Sequence, residues 1–282
     1  MSIQTVGIVG AGTMGNGIAQ ACAVAGIPVV MVDISEAAVQ KGLATIAGSL
    51  DRLIKKEKIT AADKDKALSL IKTSTSYDDL KAAQLVIEAA TENYDLKVKI
   101  LQQLDSLLTP EALMASNTSS ISITKLAAVT QRADKFIGMH FFNPVPMMKL
   151  VEIIRGLQTS DATHDAVKAL AEKLGKTPIT VKNAPGFVVN RILVPMINEA
   201  FYVLAEGTAT PEDIDEGMNL GCNHPNRPLA LADMIGLDVC LAVMEVYLEE
   251  FGDSKYRPCY LLREMVAAGR LGRKTGQGVY TY

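Results

Sequence analysis

The chain has 282 residues, of which 49% are hydrophobic and 21% charged, and its formal net charge at pH 7 is −3. This composition is typical of a folded soluble protein and excludes extended disorder. A duplex nucleic-acid binder needs a basic surface, so we expect no nucleic-acid partner. The length allows one large α/β domain or two smaller domains.

The chain begins with a long uncharged stretch, because no charged side chain precedes Asp33. No Lys or Arg precedes the apolar run either, and glycines interrupt it repeatedly, so we expect neither a signal peptide nor a membrane span. The four cysteines are scattered and match neither a zinc site nor a disulfide framework. We therefore expect no metal and a reducing, cytoplasmic compartment.

Strand and helix patterns alternate over the first two thirds of the chain. "TVGIVGAGTMGNGIAQACAVAG" indicates a strand, a glycine turn and a helix, and "IPVVMVDIS" indicates a second strand. Residues 35–72 are predicted to form two long helices rich in Lys and Arg. Further strands are predicted in "AQLVIEAATE", "ALMASNTSS", "KFIGMHFF", "KLVEII" and "TPITVK". Apolar strands separated by helices predict a Rossmann-type, mostly parallel sheet that is covered on both faces.

The pattern changes near residue 183, in "KNAPGFVVNR". Apolar residues then recur at helical spacing, for example at 193, 196, 197, 200 and 201. We therefore predict a domain boundary at this point. Residues 1–183 would form a dinucleotide-binding α/β domain, and residues 184–282 an all-α domain.

A dinucleotide-binding motif, G-x-G-x-x-G, follows the first predicted strand and opens a helix. Its glycines allow a tight turn and let the backbone approach a pyrophosphate at the helix N-terminus. Asp33, at the end of the second strand, would bind the adenosine ribose hydroxyls and repel a 2′-phosphate, which favours NAD over NADP. The predicted contacts in the turn are Gly10, Gly12, Thr13, Met14 and Gly15.

One histidine and one carboxylate interrupt the apolar segment "GMHFFNPVPMMKLVEIIRG". His140 and Glu152 are equidistant from Pro146, so antiparallel pairing about that turn would place them opposite each other. A carboxylate bonded to Nδ1–H fixes the tautomer of an imidazole, and the other nitrogen, Nε2, can then remove a proton from an alcohol. The alternative is a buried ion pair with only a structural role.

Two further polar residues are candidates for the same site. Ser119 follows the carboxyl end of a predicted strand, where open α/β sheets bind ligands. Asn190 shares a helical face with Leu193, Val194 and Ile197, so it is expected to point inward. Its partners would be substrate atoms or backbone groups, and the sequence favours neither.

Five segments carry a resemblance: "GAGTMGNGIAQ", "SNTSS", "GMHFFNPVPMMKLVEII", "PGFVVNRILVP" and "LGRKTGQGVYTY". Together they make the chain similar to the 3-hydroxyacyl-CoA dehydrogenase family, and within it to the short 3-hydroxybutyryl-CoA dehydrogenases. The similarity covers nearly the whole chain and implies oxidation of an L-3-hydroxyacyl-CoA by NAD, or the reverse reduction, in fatty acid or butanoate metabolism.

The resemblance also implies roles for individual residues. His140 matches the catalytic base and Glu152 its carboxylate partner, while Ser119 and Asn190 match residues that bind the C3 oxygen and thioester region of the substrate. The positions that match cofactor contacts are Asp33, Glu92, Lys97, Ser119 and Asn143. Ser49 and Lys56 match CoA contacts, and lysine ammonium groups can hold CoA phosphates without precise geometry. For any single lysine of the helical stretch at residues 35–72, a place on an ordinary solvated helix face is about as good an explanation.

The chain departs from the family pattern in one block. The family usually has N-H-P-M-G-P where this chain has "NHPNRP", so Asn226 and Arg227 replace Met and Gly. A charged side chain in place of glycine alters the local loop, and with it the substrate mouth or a subunit contact. His224 in the same block has no carboxylate partner in the sequence pattern, and we assign it a structural role.

Two other functions fit parts of the pattern. A dehydrogenase of a small hydroxy acid or sugar acid would share the fold, although the Lys-rich helical pair favours a CoA thioester such as acetoacetyl-CoA or 3-hydroxybutyryl-CoA. A crystallin-like or redox-sensing protein would bind NAD(H) without turnover. The predicted C-terminal domain is apolar and small, which predicts a homodimer formed through it.

Overall fold

The computed structural model describes residues 2–282. The chain divides between Ala184 and Pro185 into two compact units. The predicted boundary near residue 183 lies next to this division.

Eight strands of the first unit form one sheet: β1 (Val6–Val9), β2 (Val29–Val32), β3 (Ile71–Ser74), β4 (Leu85–Glu88), β5 (Leu113–Ser116), β6 (Phe136–Phe141), β7 (Leu150–Arg155) and β8 (Thr177–Lys182). Their order in the sheet is β3-β2-β1-β4-β5-β6-β7-β8. Neighbouring strands are parallel except β6 and β7, which are antiparallel.

Helices connect the parallel strands and cover the sheet, because a parallel crossover needs a dozen or more residues. β1, β4, β5 and β6 are buried along their whole length, as expected for strands covered on both faces. The Rossmann-type, mostly parallel sheet predicted from the sequence is confirmed. The helices are α1 (Thr13–Val24), α2 (Glu36–Lys55), α3 (Ala61–Ser69), α4 (Tyr94–Leu107), α5 (Ile123–Ala127) and α6 (Asp161–Lys173).

The order of strands reverses between β1 and β4, which are neighbours in the sheet although β2 and β3 lie between them in the sequence. At such a switch point, the loops that follow the two strands leave in opposite directions and open a crevice at the carboxyl edge of the sheet. The loops after β1 and β4 begin at Gly10 and Ala89. Any ligand site of the Rossmann type is therefore expected at this edge.

The prediction of two long helices over residues 35–72 is wrong at its end. α2 has 20 residues, but α3 has only nine, and β3 begins at Ile71. Ile71 and Thr73 are β-branched and pair with Val29 and Met31 of β2. Their pairing outweighs the helical continuation that the charged residues before them suggested.

The second unit is built from helices, which confirms the predicted helical C-terminal domain. Ile197, Phe201, Leu229, Leu237 and Leu262 are fully buried in its core. No helix within residues 2–282 combines the length and apolar character needed to span a membrane. The helices are α7 (Val189–Ala205), α8 (Pro211–Gly221), α9 (Pro228–Ile235), α10 (Leu237–Phe251) and α11 (Tyr260–Ala267).

Candidate active site

The glycine turn between β1 and α1 has the backbone geometry that its motif requires. Gly10 has φ +102°, and a Cβ atom there would lie 2.6 Å from the carbonyl oxygen of Ala89. A Cβ atom on Gly15 would lie 1.8 Å from the carbonyl oxygen of Gly10. Both positions therefore exclude a side chain, which lets α1 approach β1 closely.

Gly12 has a different reason to lack a side chain. It is exposed, and a Cβ atom built on it would meet no atom within 4 Å. Space over this glycine, together with the unpaired N–H groups at the start of α1, is what a pyrophosphate needs. The turn therefore fits a dinucleotide, with Thr13 exposed and Met14 half-buried beside it.

Asp33 follows β2 and faces the glycine turn. Its Oδ2 accepts a hydrogen bond from the Ala11 amide at 2.6 Å, and its Oδ1 accepts one from the Ile34 amide at 2.7 Å. These two bonds hold the carboxylate beside a cavity of about 290 Å³ that Lys41 and Thr45 also line. The carboxylate is thus positioned at the place where a dinucleotide fold holds the adenosine ribose.

His140 and Glu152 lie opposite each other across β6 and β7, as the sequence pattern predicts. His140 Nδ1 and Glu152 Oε2 are 2.7 Å apart, and the two residues are 6% and 0% exposed. An ionised carboxylate can only accept a hydrogen bond, so Nδ1 carries the proton. The imidazole is thereby fixed in one tautomer, whose second nitrogen is Nε2.

The surroundings of His140 further restrict its position. The ring of Phe142 packs against the imidazole with a centroid distance of 4.5 Å. The side-chain oxygen of Asn117 accepts a hydrogen bond from the Phe141 backbone N–H at 2.9 Å. The backbone N–H of Asn117 donates to the backbone carbonyl of Glu88 at 2.8 Å. Asn117 therefore connects the carboxyl ends of β4, β5 and β6, a role that the sequence analysis did not identify.

Glu92, in the loop after β4, holds the loop after β5. Its Oε1 accepts hydrogen bonds from the Ser119 and Ser120 amides at 2.8 and 3.1 Å and from the Thr118 hydroxyl at 2.5 Å. The Ser119 and Ser120 hydroxyls lie 3.3 and 3.1 Å from the same oxygen. One carboxylate oxygen thus fixes the backbone on both sides of the Ser119 side chain.

The environment of Glu92 favours its ionised form. Partial burial acts to raise the pKa of this carboxyl group, but the charge of Lys97 and the hydrogen bonds from Thr118, Ser119 and Ser120 outweigh it. The net result is a pKa below the ordinary value of 4.5. Glu92 is therefore a carboxylate at neutral pH.

A buried ion pair lies directly behind this loop. Lys97 Nζ is 2.8 Å from both carboxylate oxygens of Glu88, and the two side chains are 1% and 0% exposed. Ser116 Oγ and the Ala90 amide also donate to Glu88, at 2.6 and 2.7 Å. The sequence analysis missed Glu88, although an acidic residue that ends the otherwise apolar strand "LVIE" is an available signal.

The remaining predicted contacts lie at several places. Ser49 is half-buried on α2, and Lys56 is exposed at the C-cap of that helix, seven residues later and on the same face. Asn143 is exposed in the loop after β6. Asn190 is half-buried near the start of α7, in the second unit. The roles of these four residues stay predictions.

The two residues that depart from the family pattern, Asn226 and Arg227, are exposed. His224 Nδ1 lies 2.5 Å from the Asn226 carbonyl oxygen, which is a local turn contact. Arg227 forms an ion pair with Glu216 at 2.5 Å and occupies the N-cap position of α9. The arginine is therefore accommodated by a neighbouring carboxylate on α8.

A larger cavity, of about 710 Å³, lies at the amino ends of β5 and β6, on the opposite edge of the sheet. The Arg132 side chain is 10% exposed and bonds Asp105 Oδ1 at 2.6 Å and the Thr109 and Ala112 carbonyls at 2.7 and 3.0 Å. These bonds give hydrogen-bond donors to carbonyl groups just after the end of α4, so we assign Arg132 a structural role.

Comparison with known proteins agrees with this description. Residues 5–184 match the model of the 3-hydroxyacyl-CoA dehydrogenase NAD binding domain, and residues 186–282 match that of the 3-hydroxyacyl-CoA dehydrogenase C-terminal domain. The chain therefore belongs to the 3-hydroxyacyl-CoA dehydrogenase family of NAD-dependent oxidoreductases.

Its relatives include two curated 3-hydroxybutyryl-CoA dehydrogenases. The protein from Bradyrhizobium diazoefficiens is 54% identical over 280 residues, which cover 99% of this chain and 96% of the relative. The protein from Clostridioides difficile is 50% identical over 275 residues, 98% of each chain. The crystal structure of (S)-3-hydroxybutyryl-CoA dehydrogenase from Ralstonia eutropha is 77% identical, with a TM-score of 0.99 and coverage of 100% of this chain and 99% of that one.

The lowered pKa of Glu92 predicts a specific dependence of stability on pH. A carboxylate whose folded-state pKa is below its unfolded value stabilises the fold above the unfolded pKa and loses this contribution as pH falls through the folded value. We expect wild type to lose more unfolding free energy than Glu92→Gln between about pH 6 and pH 3. Urea unfolding at several pH values measures the difference.

The matched control is Glu172→Gln, on an exposed position of α6. This variant should lose stability on acidification in parallel with wild type. Parallel curves for Glu92→Gln and wild type would contradict the assigned environment of Glu92.

Proposed function

We propose that the chain is a 3-hydroxybutyryl-CoA dehydrogenase, which interconverts a short-chain L-3-hydroxyacyl-CoA and the 3-ketoacyl-CoA with NAD(H). The observation that carries the proposal is the buried His140–Glu152 pair, 2.7 Å apart, in the same unit as the dinucleotide turn. Relatives that match nearly the whole chain carry this activity in their names and support the same substrate class.

His140 is the acid–base group in this proposal. Its Nδ1–H donates to Glu152, so Nε2 is the atom that takes the proton of the C3 hydroxyl during oxidation. Glu152 is fully buried and stabilises the imidazolium that results. In the reverse direction the imidazolium returns the proton to the C3 oxygen. NAD(H), when bound, supplies the hydride acceptor or donor.

Ser119 and Asn190 would bind the C3 oxygen and the thioester region of the substrate. The support for Ser119 is its position after β5 at the carboxyl edge of the sheet, with its backbone fixed by Glu92. Ser49 and Lys56 would contact CoA, and their common face on α2 is consistent with one extended ligand.

The cofactor contacts proposed from the resemblance fall into two groups. Gly10, Gly12, Gly15 and the neighbouring Thr13 and Met14 form the pyrophosphate turn, and Asp33 would bind the adenosine ribose and disfavour a 2′-phosphate. Glu92, Ser119 and Asn143 would form the remaining contacts, from the loops after β4, β5 and β6, whereas Lys97 on α4 is 1% exposed and lies behind them.

A homodimer formed through the second unit, in the cytoplasm, completes the proposal. Large apolar side chains are exposed on this unit, among them Ile192, Leu220, Met234 and Tyr260 at 67%, 73%, 58% and 72%. Such side chains are common at protein–protein interfaces. The four free cysteines, of which Cys22, Cys240 and Cys259 are buried, suit a reducing compartment.

The activity is tested by following NADH oxidation with acetoacetyl-CoA, with free acetoacetate and NADPH as parallel comparisons. We expect rapid turnover of the thioester, at least about tenfold slower turnover of free acetoacetate, because it lacks the CoA binding energy, and a preference for NADH. Equal rates with free acetoacetate would support a hydroxy-acid dehydrogenase. NADH binding without turnover of any acyl-CoA would support a non-catalytic protein.

The role of His140 is tested by His140→Gln. Loss of a positioned acid–base group lowers turnover by about 10²–10⁴-fold, and NADH binding measured by fluorescence should persist. His164→Gln is the matched control, because His164 is also buried and bonded to a carboxylate, Asp165 at 2.9 Å. We expect this control to retain turnover, and turnover at the wild-type level in His140→Gln would remove His140 from the mechanism.

The oligomeric state is tested by light scattering. We expect twice the chain mass for wild type and a shift toward the monomer when Leu220 and Met234 are both replaced by Glu, because buried carboxylates would oppose association. A wild-type monomer at micromolar concentration would contradict the proposed dimer.

A further inference from the structure

We propose that Glu88 and Lys97 are positioning residues for Ser119, acting through Glu92. The inference rests on the proposed function, since Ser119 is a substrate contact there. It gives Lys97 a role behind the site, where the resemblance suggested a cofactor contact, and it adds Glu88, which no sequence pattern assigned to the site.

Glu88 is the fixed end of this chain of contacts. It is the last residue of β4, paired with β1 and β5 on either side, and its side chain is fully buried. The Ala90 amide and Ser116 Oγ each donate to one of its carboxylate oxygens, at 2.7 and 2.6 Å. The carboxylate is therefore held by the sheet and by the first residues of the following loop.

Lys97 carries the interaction from the sheet to the loop. The side chain starts from the first turn of α4 and is 1% exposed, with Nζ 2.8 Å from both oxygens of Glu88. The same Nζ lies 3.4 Å from Glu92 Oε2. A buried ammonium needs a partner, so the position of Glu88 determines where this charge stands relative to Glu92.

Glu92 transfers that position to Ser119. One oxygen of its carboxylate faces Lys97, and the other accepts the bonds from the Thr118–Ser120 loop. Glu92 itself is in an irregular loop and 37% of its side chain is exposed. Without the Lys97 ammonium, the Glu92 carboxylate is free to rotate toward solvent, and the Ser119 backbone that is bonded to it would then move as well.

The arrangement accounts for an ion pair that is buried at the end of an otherwise apolar strand. A buried ion pair is weak evidence for stability, because desolvation opposes the attraction between the charges. Its benefit here is geometric, because the ion pair fixes the orientation of the Glu92 carboxylate relative to the rigid strand β4. Functional side chains need this support, since a displacement of about 1 Å can cost about 10²-fold in rate.

The test replaces both charges at once, in Glu88→Gln/Lys97→Met. Glu88→Gln alone would leave the buried ammonium with a single carboxylate, that of Glu92 at 3.4 Å, and would destabilise the fold. In the double variant the introduced glutamine side chain can still accept the Ala90 amide, and the introduced methionine fills the space of the lysine stem. We expect a folded protein whose kcat/KM for acetoacetyl-CoA is about 10- to 100-fold below wild type.

A double-mutant cycle with Ser119→Ala distinguishes positioning from general structural damage. If the pair acts through Ser119, adding the double substitution to Ser119→Ala should lower kcat/KM by less than about threefold further. A loss in the Ser119→Ala background as large as in wild type would overturn the proposal, and so would wild-type kcat/KM in the folded double variant.

Asp105→Asn is the matched control for stability. Asp105 is also on α4 and also belongs to a nearly buried ion pair, with Arg132 at 2.6 Å, but at the opposite edge of the sheet. Thermal unfolding should show a lower Tm for this variant, with kcat/KM within about twofold of wild type. A fall in kcat/KM that tracks Tm in both variants would contradict positioning.

The cycle also separates this inference from the proposed function. Wild type without activity on acetoacetyl-CoA would refute the function itself. Active wild type and an equally active double variant would refute only the role of Glu88 and Lys97.

Discussion

The antiparallel pairing of β6 with β7 is the constraint on which the candidate site depends. All other neighbours in the sheet are parallel, and helices connect them over its faces. The single reversal brings two residues twelve positions apart in the sequence to directly opposed places, so that His140 and Glu152 share one face of the sheet. Burial then strengthens their hydrogen bond, because little water competes for it.

The site is otherwise assembled from loops at the carboxyl edge of the parallel strands. The glycine turn follows β1, Asp33 follows β2, Glu92 lies after β4 and Ser119 after β5. Each loop is held by backbone donors at a carboxylate: Asp33 binds the Ala11 amide, and Glu92 binds those of Ser119 and Ser120. Carboxylates thus organise this edge of the sheet, and in the Glu88–Lys97–Glu92 series an ammonium lies between two of them.

Local patterns in the sequence predicted much of this arrangement. The glycine spacing, the apolar strands and the equal distances of His140 and Glu152 from Pro146 are short-range features, and each gave the correct element or register. The predicted end of the helical pair was wrong. The charged residues before Ile71 suggested that the helix continues, but the segment pairs with β2 and is a strand. Glu88 was missed for a related reason: its partner Lys97 lies on a helix whose orientation depends on the whole crossover between β4 and β5.

The sequence by itself determined the fold class, the dinucleotide turn and the opposition of one histidine and one glutamate, since these follow from residue spacing within single strands, turns and hairpins. The tertiary structure alone decided which side chains support them: Glu88 beneath Lys97, Glu92 beneath the Ser119 loop and Asn117 across three strand ends. These contacts join residues from different crossover units, and their distances are set by how helices pack on the sheet, which no local spacing encodes.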